Sequence, residues 1–199
     1  SKLTPYKIDN IKKNKRILFY PTSSLIKSNY KVPLLRKYHP YHNFFYELYD
    51  NLNFNLKKNV KLKSFPHFTS KYLERNWRKI YNKNIFLKPN KTIFNNSKIV
   101  IIDNYSTPIC ELLYTDTPFI IIDPEKKNLK PKILSLFLKL KRLNMLFDNV
   151  SQVSNFLNND YDKIDIWWSK VLKSRIYLDI KKRLIPSDAK KLNLSKALV

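Results

Sequence analysis

The stretch Lys98-Ile-Val-Ile-Ile102, followed at once by Asp103-Asn-Tyr-Ser-Thr-Pro108, decides the fold class. Four apolar, β-branched residues with no polar alternation suit a strand buried on both faces, as in a parallel sheet covered by helices on each side. The polar cluster ends the strand. Pro108 fits the first turn of a helix, where its missing N–H would have had no intrahelical partner, and Ser106 or Thr107 can cap that helix. One strand, one polar loop and one helix start are therefore legible in eleven residues.

The same grammar extends in both directions. Downstream, Pro118-Phe-Ile-Ile-Ile-Asp123 reads as the next buried strand, and Pro131 opens a helix with Ile133, Leu136, Phe137, Leu140 and Leu143 on one side. A short strand at Met145-Leu-Phe147, a helix from Ser151 and one final helix over about 162–184 follow. Upstream, Arg16-Ile-Leu-Phe-Tyr20 is an apolar run stopped by Pro21 and the hydroxyls of Thr22, Ser23 and Ser24. Residues 25–40 form a loop, and residues 41–53 place Phe44, Phe45, Leu48 and Leu52 at helical spacing. Val60 and Leu62 mark a strand over 59–65, closed by Pro66. Thr69 caps a helix whose Leu73, Trp77, Ile80 and Tyr81 share a face, and Ile85-Phe86-Leu87 is a third short strand. Strands and helices alternate throughout. The expected fold is α/β, a Rossmann-like parallel sheet with helices on both faces, occupying residues 16–185. Residues 1–15 read as a linker or tail and 186–199 as a basic tail; the start at Ser1 suggests a fragment or processed chain.

Composition narrows the function classes. The hydrophobic fraction of 43% is that of a folded chain. A single cysteine, Cys110, excludes a disulfide framework and a cysteine-rich zinc site. No apolar run approaches the roughly 20 residues of a membrane span. The absence of glycine excludes Walker A loops, the GxGxxG fingerprint and glycine-rich kinase loops, which need backbone without a Cβ close to phosphate. A bound phosphate must instead meet helix N-termini, hydroxyls, histidine or lysine. The net charge of +24 raises a nucleic-acid reading, but only 7 of the 39 basic residues are arginine. Abundant Lys, Asn and Ile beside scarce Ala reads as coding bias with a solvated surface. The charge is uneven: residues 1–99 carry 22 basic and 4 acidic side chains (+18), residues 100–199 carry 17 and 11 (+6). The electropositive first half could serve nucleotide phosphates, an anionic membrane surface or RNA.

Ligands of open parallel sheets bind beyond the carboxyl ends of the strands. That makes Thr22, Ser23, His67, Asp103, Ser106 and Thr107 candidates, with Glu111 one helical turn into the following helix. The N–H groups of that helix start attract phosphate, the hydroxyls add donors, and Glu111 can accept hydrogen bonds from ribose hydroxyls. The plainer reading stands beside it: Ser106 and Thr107 cap a helix, Glu111 is solvated and His67 is a loop histidine. His39 and His42 lack acidic or cysteine partners and are not read as metal ligands. Asp160 and Asp162 read as capping residues, and Trp167-Trp168 as packing.

Four stretches resemble a known family. They are Ile17-Leu-Phe-Tyr-Pro-Thr22; Phe65-Pro-His67 with Glu74-Arg-Asn-Trp77; Ile102-Asp-Asn-Tyr-Ser-Thr107 with Glu111-Leu-Leu and Thr117-Pro118; and Phe147-Asp148 with Ile166-Trp-Trp168. From Arg16 to about Lys182 the chain resembles the C-terminal domain of bacterial surface-carbohydrate biosynthesis transferases of GT-B type. It is more distantly similar to the CDP-glycerol glycerophosphotransferases. The resemblance implies the donor-binding half of a GT-B fold, taking a nucleotide-activated sugar or polyol without an obligatory metal or other cofactor. Thr22, Ser23, His67, Ser106 and Thr107 would hold donor phosphate, Asp103 belongs to the donor signature, and Glu111 would hold ribose. The acceptor, a saccharide or lipid-linked saccharide, would come from an N-terminal domain that this chain lacks. That half usually supplies the catalytic base, so no catalytic residue is assigned. Such a protein would be cytoplasmic, at the inner face of the membrane. Tyr105 departs from the family, standing where glycine or leucine is common. The rival reading is a basic RNA-binding or ribosome-associated protein, with its basic and aromatic residues gathered on one exposed face.

Overall fold

The computed structural model describes residues 14–21, 43–63, 75, 77–81, 86–87, 93–103, 105, 107–123 and 131–185. Among the described residues six strands form one sheet: β1 (Ile17–Tyr20), β2 (Val60–Lys63), β3 (Phe86–Leu87), β4 (Ile99–Ile102), β5 (Phe119–Ile122) and β6 (Leu146–Phe147), in the order β3-β2-β1-β4-β5-β6. Every pairing is parallel. The fold is α/β and Rossmann-like, as the alternation of apolar runs implies. β1, β4 and β5 are buried at every position, which is why their sequences show no polar alternation.

Register assigns the two faces. Phe19 pairs with Ile101 and Leu62 and stacks on Phe45 of α1 (Asn43–Asn51), with ring centroids 5.3 Å apart. Phe119 pairs with Val100, so it lies on the opposite face, the face of Leu18 and Tyr20, and meets Trp168. Helices therefore cover both faces. A short α2 (Phe54–Lys57), not legible in the sequence, precedes β2; α3 (Thr107–Thr115) connects β4 to β5 and has Pro108 in its first turn. Residues 77–81 are helical; Trp77 is fully buried against Tyr46 and Tyr49, whereas Ile80 is 43% exposed and does not share its face.

The C-terminal third departs from the sequence reading in its breaks. The helix opened by Pro131, α4 (Pro131–Leu138), tightens into a 3-10 turn over Lys139–Leu143 and stops at Asn144, which takes the left-handed conformation (φ 54) that asparagine tolerates. α5 (Val150–Asp160) is capped by the Asn149 side chain, which accepts from the Gln152 N–H at 3.0 Å. Asp160 makes no side-chain capping hydrogen bond, and Asp162 lies inside the 3-10 turn Tyr161–Lys163. The expected single final helix is two, α6 (Ile164–Lys173) and α7 (Arg175–Leu184). Ser174 breaks it with extended backbone (φ −74, ψ 134), and its hydroxyl accepts from the Tyr177 N–H at 3.2 Å. A serine whose side chain serves a helix start competes with helix continuation.

Both Trp167 and Trp168 pack rather than face a ligand. Trp167 donates to the Leu143 carbonyl at 2.8 Å and Trp168 to the Asp116 carbonyl at 2.7 Å. Asp116, at φ 55 in the turn between α3 and β5, also accepts from the Tyr177 hydroxyl at 2.7 Å and from Lys181 at 2.6 and 2.7 Å. One aspartate thus ties α6 and α7 to the amino edge of the sheet.

Candidate functional site

A sheet of order 3-2-1-4-5-6 reverses direction between β1 and β4, and the crevice beyond that pair is where such folds take ligands. Tyr20 ends β1 and pairs with Ile102, the last residue of β4; Asp103 follows and is buried. The pairing of Leu18 with Lys61 puts Lys63, at the end of β2, beside Tyr20 on the same face. The Lys63 ammonium donates to the Tyr20 hydroxyl and lies 3.8 Å from the centre of its ring. Glu111, half-buried in the second turn of α3, faces the same group.

The electrostatics of these residues are mutually consistent. Burial pushes the Lys63 ammonium down from 10.5 to about 8, against the restoring pull of Glu111. Burial pushes the Glu111 carboxyl up, with Lys63 pulling it back. The Tyr20 hydroxyl is driven far upward by burial, then by the charges of Glu111 and Asp103. Each charge is thus in surroundings that penalise it, only partly compensated by its neighbour. A phosphate arriving beside Lys63 would supply the missing compensation, whereas a carboxylate at Glu111 can accept from sugar hydroxyls. Perturbed titrations of this kind, gathered in the crevice of an open sheet, make these residues a candidate binding site.

Of the residues the sequence nominated, Asp103 and Glu111 are described, and both act on Tyr20. Thr107 is the first residue of α3, so the helix start lies directly beyond β4 as the sequence implied. Thr22, Ser23, His67 and Ser106 lie outside the described residues. The sequence missed Tyr20 and Lys63. Tyr20 ended the first apolar run and stood in the Ile17–Thr22 stretch without being given a role; Lys63 fell inside the strand expected over 59–65, one lysine among Lys57, Lys58 and Lys61. Tyr105 is turned against Phe137 of α4, with ring centroids 4.6 Å apart. Burial and then Asp123 drive its hydroxyl far upward. Cys110 is half-buried and its thiol is pushed up by burial, the opposite of an activated nucleophile. Among the described residues no group of three or more His, Cys, Asp or Glu side chains could hold a metal ion, and no helix is long and apolar enough to cross a membrane.

The sequence model of the LIC12162 family transferases matches residues 1–183. The chain belongs to that family. No curated protein matches it. Membership makes this LIC12162 family chain a transferase by descent, and the match runs through β1 to α6 and nearly all of α7, the whole of the sheet included. The residues at the sheet's carboxyl edge are therefore those of a transferase.

Proposed function

We propose that this domain is the donor-binding half of a GT-B-type glycosyltransferase or glycerophosphotransferase-like enzyme of bacterial surface-polysaccharide synthesis. It takes a nucleotide-activated sugar or polyol, and an N-terminal domain brings the saccharide or lipid-linked acceptor. The observation that carries this reading is the group of buried Tyr20 with half-buried Lys63 and Glu111 at the switch point of a transferase's parallel sheet. In this reading Lys63 joins the start of α3 in holding donor phosphate, and Thr22, Ser23, His67, Ser106 and Thr107 complete the cradle. Glu111 accepts from the ribose hydroxyls. Departure of the nucleoside diphosphate leaves growing negative charge on its terminal phosphate, and fixed donors aimed there stabilise the transition state without a metal ion. The catalytic base belongs to the acceptor half.

Calorimetric titration with uridine and cytidine diphosphates tests this. Half a cleft should bind weakly, in the millimolar-to-micromolar range, roughly −4 to −8 kcal/mol. Binding of a structured RNA that is tighter than any nucleotide, and that persists at high salt, would overturn the reading.

A further inference from the structure

The amino edge of the fold carries a second feature, independent of the donor site. The buried faces of α6 and α7 converge on Asp116: Trp168 reaches its carbonyl, Tyr177 and Lys181 its carboxylate, and the Trp168 and Tyr177 rings meet at 5.4 Å. Both outer faces are therefore turned away from one point. On α6 that outer face presents Ile166, Lys170 and Lys173, spaced by four and three residues; on α7 it presents Arg175, Leu178 and Lys182, spaced by three and four. All six are exposed, Ile166 to 53% and Leu178 to 52%, although every other large apolar side chain of these two helices is at least partly buried. Of the acidic side chains nearby, Asp162 and Asp165 act on Lys98; Asp179 is paired with Arg183 at 2.9 Å and also acts on Lys182, one carboxylate against the four basic side chains of the face.

We infer that this outer face of α6 and α7 docks on an anionic lipid bilayer. Exposed isoleucine and leucine, each set between basic side chains on one helical face, match the requirements of an interfacial contact. The apolar tips enter the headgroup boundary while lysines and arginine meet lipid phosphates. A nucleic-acid surface would use stacking aromatics and guanidinium groups, whereas this face offers aliphatic tips, mostly lysine and no aromatic ring. It lies in the less basic half of the chain, so net charge did not point to it.

Sedimentation of the whole chain with vesicles tests the inference, comparing pure phosphatidylcholine with equal parts phosphatidylcholine and phosphatidylglycerol at physiological ionic strength. The chain should partition onto the mixed vesicles and not onto the neutral ones. Ile166→Ser with Leu178→Ser should lower partitioning about tenfold, and Lys170→Glu with Lys173→Glu at least about tenfold. The same charge change on another surface, Lys58→Glu with Lys79→Glu, should change it by less than about twofold, because charges beyond a Debye length act weakly. All these side chains are exposed, so each variant should melt with the parent. Should the glutamate pair on α6 lower the melting temperature, Lys170→Gln with Lys182→Gln replaces it. Equal losses from the two charge pairs would reduce the effect to net charge and overturn the inference. So would a serine pair that binds like the parent, or a face whose substitutions weaken structured RNA and leave vesicles untouched.

Discussion

Replacing Asp116 tests how the last two helices are held. Asp116→Ala removes three things. The backbone at φ 55 suits aspartate but costs alanine about 1 kcal/mol. The hydroxyl of Tyr177, whose side chain is 1% exposed, loses an acceptor at 2.7 Å, worth about 1–3 kcal/mol when a buried donor is left unpaired. The Lys181 ion pair, whose side chains are 28% and 25% exposed, contributes less than about 1 kcal/mol after solvent screening. The sum is about 3 kcal/mol, within a range of about 2–5. For a fold of this size that corresponds to a fall in melting temperature of roughly 6–12 °C. Asp116→Asn keeps the left-handed backbone and a carbonyl acceptor for Tyr177, so it should cost only about 1 kcal/mol. Asp116→Gly relieves the backbone and should cost about 1 kcal/mol less than alanine. Urea unfolding followed by tryptophan fluorescence reads all three, since Trp168 donates to the Asp116 carbonyl. An alanine variant within about 0.5 kcal/mol of the parent, or an asparagine variant as damaged as the alanine one, would refute the clamp.

Three further outcomes follow from the same geometry. Because the folded-state value of Lys63 is lowered to about 8 from 10.5, the folded chain gives up a proton between those values that the unfolded chain keeps. Stability attributable to Lys63, measured as wild type minus Lys63→Met, should therefore rise with pH across that window while diphosphate affinity falls as pH climbs through about 8. Glu111 has its folded-state value raised, so its favourable contribution is present below the unfolded value and lost as pH rises through the folded one. Glu111→Gln should flatten that mildly acidic slope in urea titrations and weaken nucleoside binding by about 1–3 kcal/mol. Ser174→Ala should cost about 0.5–2 kcal/mol in thermal unfolding, because the Tyr177 N–H loses its cap; no change would mean that the break between α6 and α7 is set by packing alone.

The sheet was legible because its central strands are buried on both faces: Ile99–Ile102 and Phe119–Ile122 cannot be anything but apolar, and the polar cluster after β4 had to be the loop before α3. The helix breaks were missed for two different reasons. Lys139–Leu143 keeps a helical apolar spacing while tightening into 3-10 geometry. Periodicity reports which side is buried, and the 3-10 turn preserves that side, so it leaves no trace in the spacing. At Ser174 the buried stripe changes phase by about half a turn, from Ile164, Trp168 and Val171 to Tyr177 and Ile180, a shift that the reading of one helix over 162–184 passed over. At the site, Glu111 and Asp103 were found by their distance from a strand end. Lys63 was hidden by abundance, since one lysine among 32 has no compositional signal, and only the pairing of β2 with β1 brings it onto Tyr20.

The central claim is that Lys63 faces donor phosphate at the switch point of the sheet. Calorimetry at neutral pH on the parent and Lys63→Met, each titrated with cytidine or uridine and with the matching diphosphate, tests it directly. The diphosphate should bind the parent more tightly than the nucleoside, and Lys63→Met should cost the diphosphate about 1–3 kcal/mol while leaving the nucleoside unchanged. Equal losses for both ligands, or a diphosphate that binds the variant as well as the parent, would contradict it.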